Sequence, residues 1–159
     1  MLYKKYLIGT SATNTQTLTA WSYSNWNVVS AQPNTSGVKS YPNSGLSNLN
    51  MTISGINSLT SPFNITVPSS GNWEVAFDLW IPTEVMVWMY VSGNVGPIAE
   101  GWDSNGNPIP SATNVTVGGY TWNVYHGGKC GAIQFGFEIS GTGGVPETFT
   151  CNNFSMSAQ

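Results

Sequence analysis

Large apolar residues fall at every second position in several short stretches of this chain, and no stretch carries a helical period. Trp73, Val75, Phe77 and Leu79 alternate with Glu74, Ala76 and Asp78. Ile133, Phe135, Phe137 and Ile139 alternate with Gln134, Gly136 and Glu138. Phe63, Ile65 and Val67 alternate with Asn64 and Thr66. A period of two marks a strand with one face in a core and the other outside, because successive strand side chains point to opposite sides. Pro82-Thr83 interrupts the pattern, and Glu84 to Val91 reads as a further strand. Asn94 to Pro110, rich in Gly, Asn and Pro, reads as loop. Val115 to Val117, Gly118-Gly119 and Tyr120 to His126 read as strand, tight turn, strand, and Thr148 to Met156 as the last strand. Short strands punctuated by turn residues predict an all-β sandwich or barrel. The length of 159 residues predicts one domain spanning 1–159.

Charge narrows the function. Only 7% of residues are charged: four Lys, no Arg, five Glu and two Asp. Four scattered lysines cannot build the basic stripe of a nucleic-acid binder, and the short apolar runs give no transmembrane helix. The chain is therefore expected to bind neither nucleic acid nor membrane. Asn, Ser and Thr, 52 residues together, must supply its solubility. Five Asn-x-Ser/Thr sequons, at Asn34, Asn50, Asn64, Asn114 and Asn153, hint at an extracellular, secreted protein. The start, Met1 to Gly9, holds a basic pair but no adequate apolar stretch, so it does not read as a signal peptide. Cys130 and Cys151 either close one disulfide or remain two buried thiols.

Seven acidic residues are few enough that their placement carries information. On the strand Glu84–Val91, the period of two puts Val85, Val87, Met89 and Val91 on a core face and Glu84, Met86, Trp88 and Tyr90 on the other. A carboxylate among amphipathic aromatics suits a sugar, whose ring face is apolar and whose edge is polar. Glu138 repeats the arrangement beside Gly136, which leaves room for a ligand, and Asp78 lies opposite the core face of its own strand. Glu74 shares the parity of Asp78 and is a rival member of the group. Two carboxyls flanking a sugar bond are the equipment of glycoside hydrolysis, and a third nearby pushes pKa values apart. One His and two Cys offer no ordinary zinc site, and no Gly-x-Ser-x-Gly elbow accompanies His126. No cofactor or metal is expected.

These residues sit in segments that resemble glycoside hydrolase family 12, the small β-jelly-roll endoglucanases and xyloglucanases. Val38-Lys39-Ser40-Tyr41-Pro42-Asn43 resembles the family's early segment, Phe77-Asp78-Leu79-Trp80 its "YDLW", and Glu84-Val85-Met86-Val87-Trp88 its nucleophile strand. Gly96-Pro97-Ile98 resembles its "GPIG" turn and Val117-Gly118-Gly119-Tyr120-Thr121-Trp122 its "VGG-x-x-W" strand. Gln134-Phe135-Gly136-Phe137-Glu138 resembles its acid/base strand. The resemblance runs from about Trp21 to Gln159, in the family's order. It implies a jelly-roll sandwich with a concave substrate-binding sheet. It also implies retaining hydrolysis of internal β-1,4-glucosidic bonds in cellulose-type, mixed-linkage or xyloglucan chains by a monomer. Glu84 would be the nucleophile, Glu138 the general acid/base and Asp78 the neighbour that orients the nucleophile. Met86 and Trp88 would line the cleft and Pro97 its rim.

The sequence departs from the family in three places. Ile8 stands where an N-terminal sugar-stacking Trp would be, with Trp21 or Trp26 as substitutes. Only Ile81-Pro82-Thr83 join Trp80 to Glu84. Only Gly127 to Ala132 join His126 to Ile133, where the family carries another strand and its helix, so the helix is expected to be absent and the sheet either to close with fewer strands or to leave an exposed edge. The alternative reading is a non-catalytic shortened relative that binds glucan or acts as a decoy.

Overall fold

A computed structural model describes residues 2–4, 15–35, 37–46, 56–81, 83–97, 99–125, 133–155 and 157–158. The strands among them are β1 (Leu2–Lys4), β2 (Thr15–Ser22), β3 (Asn25–Ala31), β4 (Asn43–Leu46), β5 (Leu59–Thr60), β6 (Phe63–Thr66), β7 (Asn72–Ile81) and β8 (Thr83–Ser92). They continue with β9 (Gly101–Trp102), β10 (Pro108–Ile109), β11 (Ala112–Val117), β12 (Tyr120–Val124), β13 (Ile133–Gly141), β14 (Glu147–Phe154) and β15 (Ser157–Ala158). No helix occurs among the described residues. The all-β expectation therefore holds.

Two antiparallel sheets carry the fold. One has five strands in the order β1-β4-β13-β7-β8, the other four in the order β2-β3-β14-β6. The expected periodicities are realised where the two meet. Trp73 and Val75 of β7 and Phe135, Phe137 and Ile139 of β13 face Trp26 and Val28 of β3 and Phe149, Cys151 and Phe154 of β14 in one buried core. Aromatic rings make much of it. Phe135 stacks on Phe154 at 5.0 Å, and Trp73 meets Phe149 edge-on at 5.7 Å. Such pairs add about 0.5–1.5 kcal/mol each beyond the area they bury.

Turns follow their local chemistry. Gly118 and Gly119, with φ of 62° and 81°, close the β11–β12 hairpin, the conformation that a two-residue turn between twisted strands requires. The stretch 94–110 is not wholly loop: it contains the small β9–β10 hairpin. Asp103 holds that hairpin's end by accepting hydrogen bonds from the Asn105 and Asn107 amides and the Asn107 side chain, which keep its carboxyl below the usual range. Among the described residues, β11 and β12 pair only with each other and β8 ends the five-stranded sheet, which is the exposed-edge outcome of the two expected. Cys151 is a free, buried thiol, pushed up to about 12 by burial; Cys130 lies outside the described residues.

Two expectations change. A bulge in the β7–β8 ladder, after Ala76 pairs with Trp88 and before Val75 pairs with Tyr90, inserts Met89 as an extra residue. Beyond it the faces exchange. Tyr90 comes level with core-side Val75 and Val91 with Glu74, so Val91 leaves the expected core face and is 55% exposed; Val85, expected on the same face, is 43% exposed at the start of β8. Trp26 is the second correction. It is 1% exposed and meets Phe137 edge-on at 5.3 Å, so its ring is core and cannot stack on a sugar. Trp26→Phe should therefore lower stability by about 1–2 kcal/mol in urea unfolding. An unchanged urea midpoint would show that the indole adds nothing to the core beyond a phenyl ring.

Candidate active site

The side of the five-stranded sheet away from the core carries a cluster of carboxyl side chains. On β7, Glu74, Ala76 and Asp78 each follow one of the core-facing Trp73, Val75 and Phe77, and all three are buried on that outer side. The ladders place their neighbours. From β13, Glu138 stands opposite Glu74, Gly136 opposite Ala76 and Gln134 opposite Asp78. From β8, Trp88 stands opposite Ala76 and Met86 opposite Asp78, both half-buried. Residues directly opposite in an antiparallel pair have Cβ atoms about 4.5–5.5 Å apart. Gly136 has a backbone reason to be glycine, because the segment leading into β4 lies against it. The amides of Phe137 and Ile139 donate to the carbonyls of Pro42 (3.1 Å) and Ser40 (2.9 Å). The Val38–Asn43 motif thus holds the strand that carries Glu138.

Glu74 and Glu138 are hydrogen-bonded side chain to side chain. Burial, foremost, then the charge of Glu138, that hydrogen bond and the charge of Asp78 push Glu74 up to about 10. A carboxyl in that position keeps its proton at neutral pH. Lys39, the lysine whose side chain is described, gives its ammonium to the carbonyls of Thr35, Gly37 and Ser140 at the end of β13. Among the described residues, no group of three or more His, Cys, Asp and Glu side chains is placed to hold a metal ion.

The other sequence-selected residues fall as follows. Glu84 is the ladder partner of Trp80; its side chain lies outside the described residues. Its rung is six positions along β7 from the Glu74 rung that Glu138 occupies, roughly 20 Å at about 3.3 Å per residue. In this register the two glutamates are not juxtaposed across the roughly 5–5.5 Å of a retaining pair. Asp78 lies between them, diagonal to Glu84. Pro97 is half-buried in the loop after β8. Trp21, 64% exposed, sits at a bulge in β2, on the four-stranded sheet rather than among the carboxylates. The Glu74–Glu138 contact is the feature that strand parity alone did not provide. Parity put both on the outer face, but only the register makes them partners.

No protein-family model matches the sequence. The fold aligns with endoglucanase 3 of Trichoderma harzianum, from family GH12, at a TM-score of 0.71 and 16% identity, covering 99% of this chain and 98% of that one. It also aligns with the xyloglucanase domain of NopAA, a type three effector from Sinorhizobium fredii, in complex with cellobiose. There the TM-score is 0.84 and the identity 30%, over 99% of this chain and 93% of that chain. The chain belongs to glycoside hydrolase family 12. Among curated family 12 relatives, the xyloglucan-specific endo-β-1,4-glucanase A of Emericella nidulans is 30% identical over 141 residues, 78% of this chain and 49% of that protein. The enzyme of the same name from Aspergillus niger is 29% identical over 134 residues. The chain spans about half the length of these curated relatives, yet nearly all of the NopAA domain.

Proposed function

We propose that this family 12 protein hydrolyses internal β-1,4 bonds of cellulose-type, mixed-linkage or xyloglucan chains with retention. Glu138 acts as general acid/base, Glu84 as nucleophile and Asp78 as the neighbour of the nucleophile. The observation that carries the reading is the outer-face cluster of Glu138, Glu74 and Asp78 on adjacent strands, bordered by Trp88 and Met86. The NopAA domain, seen with cellobiose, supports the substrate class.

In this reading the apolar sugar faces pack on Trp88 and Met86, and Pro97 shapes the rim. Glu138 gives its proton to the leaving glycosidic oxygen while the nucleophile's carboxylate bonds to the anomeric carbon. Glu138 then takes a proton from the water that releases the sugar.

The six-rung separation in the present register favours a second reading, a glucan-binding relative that does not cleave. Reducing-end release from carboxymethyl-cellulose, mixed-linkage β-glucan and xyloglucan decides between them, with Glu84→Gln and Glu138→Gln alongside. The hydrolase reading expects each variant to lose at least about a hundredfold in kcat. Activity that survives both substitutions removes this pair. A folded, inactive wild type that is retarded on a glucan affinity gel selects the binding reading.

A further inference from the structure

We propose that Glu74 is a positioning residue for Glu138: a neutral carboxylic acid that donates its O–H to the Glu138 carboxyl across the β7–β13 ladder. This inference rests on the reading of Glu138 as the acid/base.

Three observations lead to it. Glu74 is the ladder partner of Glu138, and their side chains are hydrogen-bonded. Two carboxylates cannot bond to each other without a proton between them. Glu74 is 1% exposed whereas Glu138 is half-buried, so the partner that must stay uncharged is Glu74. Finally, Glu74 Oε1 is buried with no hydrogen-bond partner. A carboxylate would have to leave a charged oxygen dry there, whereas a neutral acid leaves only a carbonyl or hydroxyl oxygen.

The surroundings agree. Level with Glu74 on β8 is Val91, and beside it on the outer face are Ala76 and Trp88, none of which titrates. Among the described side chains, those that titrate nearby are Asp78 on β7 and Tyr41, which stands level with Glu138 on the segment entering β4. Glu84 occupies the distant Trp80 rung, and the ammonium of Lys39 is held at the carbonyl of Ser140. Burial and the negative charges of Glu138 and Asp78 both favour the protonated form of Glu74.

The consequence for the reaction is specific. Glu138 gives its own proton to the leaving oxygen and becomes a carboxylate. The Glu74 O–H, which never leaves Glu74, then stabilises and orients that carboxylate until it takes a proton back from water. A donor to the charged form lowers the proton affinity of Glu138. A glutamine at position 74 can donate in the same way, whereas a leucine cannot.

The test uses the whole chain, isotope-labelled at the carboxyl carbons of its five glutamates, as wild type, Glu74→Gln and Glu74→Leu. In wild type the Glu74 carbon should hold its protonated shift through neutral pH, and both variants should lack that signal. The Glu138 titration midpoint should rise by about one pH unit in Glu74→Leu and return in Glu74→Gln. On a soluble glucan, the alkaline limb of kcat/KM should move up in Glu74→Leu. Its kcat should fall about tenfold with KM little changed, and Glu74→Gln should recover most of both. A merely structural role would lower the Tm of Glu74→Leu and leave the Glu138 midpoint where it was. Glu74 titrating in the ordinary carboxylate range, or one Glu138 midpoint shared by all three proteins, overturns the inference. Should Glu74→Leu not fold, the wild-type Glu74 signal and the Glu74→Gln midpoint still decide. Should none of the proteins cleave any glucan, the hydrolase reading falls, and the carbon titrations still judge the Glu74 contact.

Discussion

Gly136→Ala is expected to cost at least about 3 kcal/mol and to loosen the strand that carries Glu138. A Cβ at this position would stand 2.7 Å from Asn43 Cβ and 2.8 Å from Asn43 Cα, and closer still to the carbonyl oxygen of Pro42. None of these atoms is the free end of a flexible side chain. Asn43 is buried and its side-chain amide donates to the Tyr41 carbonyl, while the Pro42 carbonyl accepts from the Phe137 amide. Relief therefore requires the segment entering β4 to retreat from β13, with loss of ladder bonds on both sides of Glu138. Urea unfolding should show the fall as a lower midpoint with an unchanged slope. A loss below about 1 kcal/mol would mean that β4 yields easily and that Gly136 is there for another reason. The same crowding qualifies the expectation that Gly136 makes room for a ligand. The space beside it is already filled by Asn43 and Pro42, so this glycine serves the approach of two backbones.

The faces of β7 and β13 were legible because their alternation is unbroken from Trp73 to Leu79 and from Ile133 to Ile139. Trp73, Val75, Phe135, Phe137 and Ile139 are all core, as their period of two requires. The rungs of β8 follow the alternation only as far as Trp88, and within that span Val85 is still 43% exposed. The strand's alternation continues in the sequence, but the bulge at Met89 turns it over, and a single extra residue leaves no mark on apolar periodicity. Trp26 could have been placed from the sequence. It shares parity with Val28 and Ser30, all three buried, while Asn25, Asn27 and Val29 take the other side. An aromatic residue in step with a buried valine belongs to the core before it belongs to a ligand. The Glu74–Glu138 contact was beyond reach for a different reason. β7 and β13 are neighbours in the sheet but far apart in the chain, and parity restricts such a pairing to a face without choosing the rung. The separation of Glu84 from Glu138 is hidden in the same way.

The buried carboxyl at Glu74 also makes stability depend on pH, and this is the second large effect expected. In the unfolded chain Glu74 ionises near 4.5, whereas in the fold it is raised to about 10, chiefly by burial and then by Glu138. Between those values the folded state binds a proton that the unfolded state has released. The contribution of Glu74 is therefore fully present below the unfolded value and is lost progressively as pH rises toward the folded one. One proton of difference corresponds to a slope of about 1.4 kcal/mol per pH unit. Glu74→Gln keeps the shape and the donor but has no proton to lose. Relative to wild type it should be of similar stability near the unfolded pKa and should gain steadily above it. Between about pH 5 and about pH 7 the predicted gain is roughly 2–3 kcal/mol. Urea midpoints of the two proteins, measured across that range, check the sign directly. Wild-type stability that is flat or rises with pH while Glu74→Gln runs parallel to it would show that Glu74 ionises in the fold. Its contact with Glu138 would then need a different proton.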